Sequence, residues 1–97
     1  HMNRLLLLVS YKARPGMRKN FLHHIFASGI LNKIRGEDGF CRYDYYLDAK
    51  DDDTILLIEE WSTEEHQQKH LQTSHMEELK KIKDQYITET KIERFLL

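Results

Sequence analysis

Three polar side chains share one face of a short predicted helix in the second half of the chain. His66, Gln67 and His70 fall on that face by their spacing, together with Thr63 and Leu71. The opposite face is entirely polar and comprises Glu64, Glu65, Gln68, Lys69 and Gln72. A surface helix with one charged face normally turns apolar side chains inward. We therefore predict that this helix builds a polar site against the rest of the protein.

A predicted strand, Thr54–Trp61, delivers two further candidates immediately before that helix. Its alternation places Glu59 and Trp61 on the same face as Ile55 and Leu57. A carboxylate on this apolar face requires an ion pair or a hydrogen bond, because an unpaired buried charge is costly. Glu59 is therefore either half of a structural ion pair or part of the site.

Each polar candidate allows both a chemical and a structural interpretation. His70 has the residue type for proton transfer, since an unperturbed histidine has a pKa of about 6.5. The same side chain is also compatible with a packed histidine whose hydrogen bonds are satisfied. His75 lies at the start of a further predicted helix, where capping is an alternative to chemistry. His66 and His70 also have the i, i+4 spacing of two metal ligands on one helix. No third ligand is fixed by spacing, so we predict that no metal is bound.

The aromatic residues near this stretch are candidates for the wall of a pocket. Tyr43 and Tyr45 share one face of the predicted strand Phe40–Leu47, where they line either a pocket or a contact between protomers. Trp61 has the residue type for core packing and for a flat pocket wall.

Composition and charge limit the possible partners. The chain has 97 residues and the composition of one globular domain, which we place at residues 3–97. His1 and Met2 are interpreted as a cloning remnant and the start methionine. A net charge of −1 gives no electrostatic reason to expect nucleic acid or an anionic membrane as a partner. Cys41 is the single cysteine, which favours a reducing, cytoplasmic location.

Strand and helix patterns follow one another along the chain. Strands are predicted at Leu5–Lys12, Phe40–Leu47, Thr54–Trp61 and Thr88–Phe95. A helical pattern begins at Met17 and is weakened at Gly29. The two later helices are predicted to begin at capping boxes, and their capping pairs are Ser62 with Glu65 and Ser74 with Glu77. The last helix has an apolar stripe of Met76, Leu79, Ile82 and Tyr86.

This order predicts an α+β fold, a ferredoxin-like plait with a four-stranded antiparallel sheet. The first and third strands are apolar without alternation, as central strands are, whereas the other two contain the charges typical of edges. The few helices can cover only one face of the sheet. We therefore predict a homodimer in which two sheets pack face to face.

Four segments, RPGMRKNF, GEDGFCRYDYYLD, TILLIEEW and KHLQTSHMEEL, resemble the antibiotic biosynthesis monooxygenase family. The resemblance extends in order over nearly the whole chain. It implies a dimeric α+β barrel with a pocket between sheet and helices in each protomer. The family pattern of Glu-x-Trp followed by His falls on Glu59, Trp61 and His70, and the next pattern, Thr-x-His, falls on Thr73 and His75.

The chain departs from this family in one place and from its haem-degrading branch in three. His66 and Gln67 stand where relatives usually have small apolar residues, which predicts a more polar pocket. Haem-degrading relatives have an Asn, a Trp and an iron-binding His at positions that hold Val9, His70 and Lys80 here. Haem degradation is therefore not expected.

The resemblance implies a cofactor-independent monooxygenase that acts on a small aromatic, quinol or polyketide-like substrate with O2. In such a mechanism a base removes a proton, and the electron-rich anion reacts with oxygen without flavin, haem or metal. His70 is the candidate base, and Glu59 is the candidate for orienting it. The candidate substrate contacts are Trp61, His66, Gln67, His75, Tyr43 and Tyr45.

Two alternatives remain open at this point. One is an isomerase or lyase that transfers a proton on a small carbonyl compound, as in the autoinducer-2 processing relatives. The other is a dimer that binds a small ligand without catalysis.

Overall fold

A computed structural model describes residues 3–97, so the interpretation of His1 and Met2 lies outside the described residues. The first half contains β1 (Leu5–Ala13), α1 (Arg18–Ser28), α2 (Ile30–Arg35) and β2 (Phe40–Leu47). The second half contains β3 (Thr54–Trp61), α3 (Glu64–Leu71), α4 (Ser74–Tyr86) and β4 (Ile87–Leu96). No helix of residues 3–97 is long and apolar enough to cross a membrane.

The four strands form one antiparallel sheet in the order β2-β3-β1-β4. The predicted ferredoxin-like α+β fold is therefore confirmed, with β1 and β3 in the centre and β2 and β4 at the edges. The register places Glu59 beside Leu7 of β1 on one side and beside Tyr43 of β2 on the other. A carboxylate thus lies in the centre of the sheet.

Burial alternates along both central strands, although their sequences are apolar throughout. Inward residues of β1 and β3 are buried beneath the helices, and outward residues such as Leu8 and Ile58 are only half-buried. The apolar run therefore does not bury both faces within one protomer. The half-buried apolar residues on the outward face are the basis of the predicted dimer.

The long helical pattern that begins near Met17 is two helices. Gly29 separates α1 from α2 and has a positive φ of 81°, a conformation that glycine adopts at little cost. The hydroxyl of Ser28 accepts a hydrogen bond from the N–H of Ile30, which stabilises the break. The inward side chains of both helices complete the core, namely Phe21, Ile25, Ile30 and Ile34.

The edge strand β4 leaves part of the inner face uncovered. Its residues Thr90, Ile92 and Arg94 lie in register with Tyr11, Val9 and Leu7 of β1. Ile92 is 59% exposed, because no helix packs over this edge. The helix-covered face of the sheet is therefore open on the β4 side.

Candidate active site

The polar helix α3 begins at Thr63, one residue later than predicted. Thr63 has an extended backbone, and its hydroxyl accepts a hydrogen bond from the N–H of His66 at 3.2 Å. The predicted cap, Ser62, instead donates its own N–H to the carbonyl of Gly39 at 2.8 Å. The shift corrects the start of the helix and leaves its inward residues unchanged.

Gln67 and His70 are the two buried residues of α3. His70 exposes only 1% of its surface. Leu71 was predicted to point inward and is 51% exposed, because it is the last residue of the helix and lies at the rim of a cavity. Two polar residues, Gln67 and His70, are therefore the most deeply buried part of the predicted inward face.

His66 lies outside this buried group. Its Nδ1 is 2.7 Å from the hydroxyl of Thr63, and its Nε2 is 3.5 Å from the carboxylate of Asp38. Its ring packs against Gly39 so closely that a Cβ added there would lie 2.1 Å from the His66 Cγ. The structure thus places His66 beside the loop before β2 and does not bring it to the other candidates.

Glu37, in the loop between α2 and β2, connects His70 and His75. Its Oε2 accepts a hydrogen bond from Nδ1 of His70 at 2.9 Å and another from Nε2 of His75 at 2.7 Å. A carboxylate oxygen accepts and does not donate, so both ring nitrogens carry hydrogen. In the neutral imidazole of His70, the other nitrogen, Nε2, is then the unprotonated one.

On its other side His70 faces Glu59. The Nε2 of His70 is buried, has no hydrogen-bond partner among residues 3–97, and lies 3.9 Å from Oε1 of Glu59. The same carboxylate oxygen accepts a hydrogen bond from Nε1 of Trp61 at 3.1 Å. The Trp61 and His70 rings are 4.4 Å apart at their centroids and inclined by 35°. Trp61 is fully buried, so it supports the Glu59–His70 pair from within the core.

Burial shifts the protonation of both members of this pair toward the neutral form. It raises the pKa of Glu59 from 4.5 to about 7, against the hydrogen bond from Trp61 and the charge of Lys83. It lowers the pKa of His70 from the ordinary 6.5, against the hydrogen bond to Glu37. At about pH 6.5 a mostly uncharged imidazole therefore faces a mostly uncharged carboxyl group.

The two predicted tyrosines both lie on the helix-covered face of the sheet. Tyr43 is buried, and its ring centroid is 5.9 Å from that of His70. Tyr45 packs edge-on against Tyr43, Phe21 and Phe26, which places it away from His70. Tyr43 therefore lies beside His70 in the interior, whereas Tyr45 is half-buried against α1.

A cavity of about 370 Å³ lies between the sheet and the helices α3 and α4. This volume falls in the range of small-molecule sites. Its polar lining includes Tyr11, Tyr43, Glu59, Gln67, His70, Lys83 and Arg94. Four of the predicted site residues therefore meet at one cavity, while Trp61, His75, Tyr45 and His66 lie outside its lining.

The family model described as antibiotic biosynthesis monooxygenase matches residues 4–81 of this chain, which is most of its length. The chain belongs to the antibiotic biosynthesis monooxygenase family. The YcnE protein of Bacillus subtilis is 27% identical over 74 residues, which are 75% of this chain and 76% of YcnE.

Solved structures agree with this assignment at the level of the fold. PA3566 from Pseudomonas aeruginosa has a TM-score of 0.85 and 23% identity, with 100% of this chain and 97% of that chain covered. A protein from Nitrosomonas europaea assigned to the same family has a TM-score of 0.88 at 16% identity, with coverage of 100% and 92%. At such identities the likeness establishes the fold alone.

The antibiotic biosynthesis monooxygenase match includes Glu37 and ends before Lys83 and Arg94. Sequence reasoning missed all three. Glu37 is 33 positions from His70, in a charged loop that resembles ordinary solvent-exposed sequence. Lys83 and Arg94 lie on polar positions of α4 and β4 that resemble a solvated surface. Only the packing of those elements around the cavity distinguishes them.

The structure brings together three possible metal ligands that spacing did not identify, and His66 of the predicted pair is not among them. One ligand atom each from Glu37, His70 and His75 lies within 4.8 Å of the others, the residue types of a two-histidine, one-carboxylate centre. In the structure, however, the two imidazole N–H groups are already satisfied by Glu37. A cation at this point would have to replace both hydrogen bonds.

We therefore expect protein purified without a histidine tag to contain much less than one zinc, copper or iron per chain. Elemental analysis by mass spectrometry checks this, with Glu37→Gln as the comparison. A stoichiometric metal in the unaltered protein that is lost in Glu37→Gln would contradict the expectation.

Proposed function

We propose that this chain is a cofactor-independent monooxygenase that acts on a small aromatic, quinol or polyketide-like molecule. The substrate supplies the electrons, and O2 is the second substrate. Family membership supports the reaction class, and the cavity of about 370 Å³ is of a suitable size for such a molecule. The single cysteine, Cys41, fits a reducing cytoplasmic location.

The observation that carries this proposal is the orientation of His70. Glu37 fixes hydrogen on Nδ1, so the lone pair of Nε2 is free at a side chain that lines the cavity. Burial lowers the pKa of His70, which keeps the imidazole in its basic form at neutral pH. A positioned neutral histidine of this kind is suited to general-base catalysis.

The proposed reaction begins when His70 Nε2 takes a proton from an acidic carbon or hydroxyl of the substrate. In a substrate with an activated methylene group, the carbanion then forms a bond to O2. One oxygen atom stays on that carbon as a carbonyl, and the other leaves as water with the two former methylene hydrogens. The methylene carbon supplies all four electrons that the O2 molecule accepts, so no external reductant is required. His70 returns its proton when water leaves.

Gln67, Glu59 and Tyr43 have supporting roles in this proposal. Gln67 is buried beside His70 and offers an amide to a substrate oxygen. Burial raises the pKa of Tyr43 well above 10.0, so its hydroxyl remains a hydrogen-bond donor. Glu59 in its protonated form is also a hydrogen-bond donor in the cavity lining.

Oxygen uptake with a panel of quinols and tricyclic polyketides that have an activated methylene tests the proposal. We expect enzyme-dependent consumption of one O2 per product, with isotopically labelled oxygen appearing once in the product and once in water. Uptake no faster than the uncatalysed background for the whole panel would overturn the reaction. Binding without turnover would then favour a ligand-binding protein.

We further propose that the protein functions as a homodimer through the outward face of its sheet. The central outward side chains are apolar, and Leu8 lies in register with Ile58 at the middle of that face. Phe95 on β4 extends the apolar surface and is 42% exposed in the single chain. A contiguous apolar surface of this kind is typical of an association surface.

Sedimentation analysis at micromolar concentration should therefore give a dimer. Replacing Leu8 with Glu should produce monomers, because the charge would be buried against its copy in the partner. Lys19→Glu, on the exposed side of α1, is the matched control and should leave the dimer intact. A monomeric unaltered protein would contradict the proposed assembly.

A further inference from the structure

Two cationic side chains, Lys83 of α4 and Arg94 of β4, line the same cavity as His70 and Glu59. They occupy different levels of the cavity, because Lys83 lies over Tyr11 of β1 and Arg94 pairs in register with Leu7 of the same strand. Arg94 forms an ion pair with Glu64 at the start of α3. The charge of Arg94 is therefore already matched by Glu64, whereas Lys83 has no such partner.

Lys83 differs from an ordinary surface lysine. It is half-buried, and no carboxylate of residues 3–97 lies within 4.0 Å of its ammonium group. Its Nζ lies 5.0 Å from the centroid of the Tyr11 ring, which is a cation–π distance. Burial lowers the pKa of Lys83, although the charge of Glu59 opposes this effect. The ammonium group has thus lost water without gaining a close anion.

We propose that this cavity binds a planar aromatic anion, with its negative group at Lys83 and its ring toward Tyr43 and His70. The inference rests on the proposed function and narrows its substrate class from aromatic molecules in general to aromatic acids and ionised phenols. A bound anion provides Lys83 with a counter-charge that no carboxylate of residues 3–97 supplies within 4.0 Å. The Tyr43 ring and the apolar lining residues Leu7 and Val9 of β1 suit a flat ring.

Glu59 is the one carboxylate of residues 3–97 that lines the cavity, and it does not oppose such a ligand under mildly acidic conditions. Glu59 has a pKa of about 7, so it is mostly protonated at about pH 6. At about pH 6 the cavity therefore presents Lys83 beside a mostly uncharged Glu59. The ammonium group of Lys83 would also stabilise the negative charge that develops when His70 removes a proton.

A binding experiment that requires no turnover tests the anion site. The probes are 2-naphthoate and 2-naphthamide, which share a ring system and differ in charge, titrated calorimetrically into the full chain at about pH 6. We expect naphthoate to bind at least about 10-fold more tightly than naphthamide. Added salt should weaken only the naphthoate complex, since screening acts on the charged ligand.

Lys83→Gln should lower naphthoate affinity about 10-fold and leave naphthamide affinity nearly unchanged. Lys80→Gln, one turn earlier on α4 and exposed, is the matched control and should leave the affinity for both probes unchanged. If Lys83→Gln does not fold, Lys83→Met and the salt dependence of the unaltered protein take its place. Equal affinity for the two probes, or failure of naphthoate to bind at millimolar concentration, would overturn the proposal.

These outcomes are separable from those of the oxygenation test. Charge-selective binding together with no oxygen uptake from any quinol would support the anion site and overturn the proposed reaction. Oxygen uptake by a protein that binds both probes equally would support the reaction and overturn the anion site.

Discussion

Replacing His70 with Ala should lower turnover about 10²–10⁴-fold, the usual loss when a general base is removed. The expected size follows from the position of the side chain, which is buried and held by Glu37 with its Nε2 free. Substrate binding should change less than turnover, because Tyr43 and Gln67 remain to contact the ring. Steady-state kinetics on a verified substrate separate the two effects.

The pH dependence of the rate gives a second signature of His70. The rate of the unaltered enzyme should rise with pH through a pKa below 6.5, because burial lowers the pKa of His70 and only the neutral imidazole accepts a proton. His70→Ala should lack this rise. Gln67→Leu is the comparison from the same helix face, and it should mainly raise KM while keeping the pH dependence.

Full activity of His70→Ala on a verified substrate would contradict the assignment of the base. His75 would then be the next residue to test, since it shares the Glu37 carboxylate with His70. Melting curves of each variant establish that a loss of rate is not a loss of folded protein.

The fold was predictable because the hydrophobic patterns of this chain are short and unambiguous. The strands β2 and β3 have the predicted bounds, and β1 and β4 differ from prediction by one residue at their ends. The apolar, uninterrupted sequences of β1 and β3 correctly identified the centre of the sheet. The break at Gly29 was predicted only as a weakness, because helix propensity does not reveal whether a glycine adopts a positive φ.

The site was predictable only where its residues share one element. The period of α3 identified Gln67 and His70, and the alternation of β3 placed Glu59 and Trp61 on one face. Glu37 could not be found in this way, because its role depends on a loop that returns to α3 in three dimensions. His66 illustrates the opposite error. Its helical spacing is correct, but spacing does not reveal that its ring packs against Gly39 and so lies away from the cavity.

The second large effect concerns Glu59, whose replacement by Gln should stabilise the protein at high pH. Gln keeps the shape of the side chain and an oxygen that accepts the Trp61 hydrogen bond. It removes the need to ionise a group that is only 7% exposed. The titratable groups that interact with this carboxyl are His70, Lys83 and Glu37, and all three remain in the variant.

The sign of the effect follows from the direction of the pKa change. Burial raises the pKa of Glu59 from 4.5 to about 7 in the folded protein, so the folded state retains its proton longer than the unfolded state does. The stability that Glu59 contributes is therefore fully present below about pH 4.5 and is lost as the pH rises through about 7. The difference between the two values corresponds to about 3 kcal/mol.

Urea unfolding of both proteins between about pH 5 and pH 8, at one protomer concentration, measures this difference. The advantage of Glu59→Gln should be small at pH 5 and should grow by about 2–3 kcal/mol by pH 8. The lowered pKa of His70 destabilises the folded state at acidic pH, because the unfolded state binds that proton more readily. This effect is the same in both proteins and cancels in the comparison. Glu78→Gln removes an exposed carboxylate of α4, away from the cavity and the outward sheet face, and serves as the control. An advantage that does not depend on pH, or an equal one in Glu78→Gln, would show that the folded protein does not hold Glu59 in its neutral form.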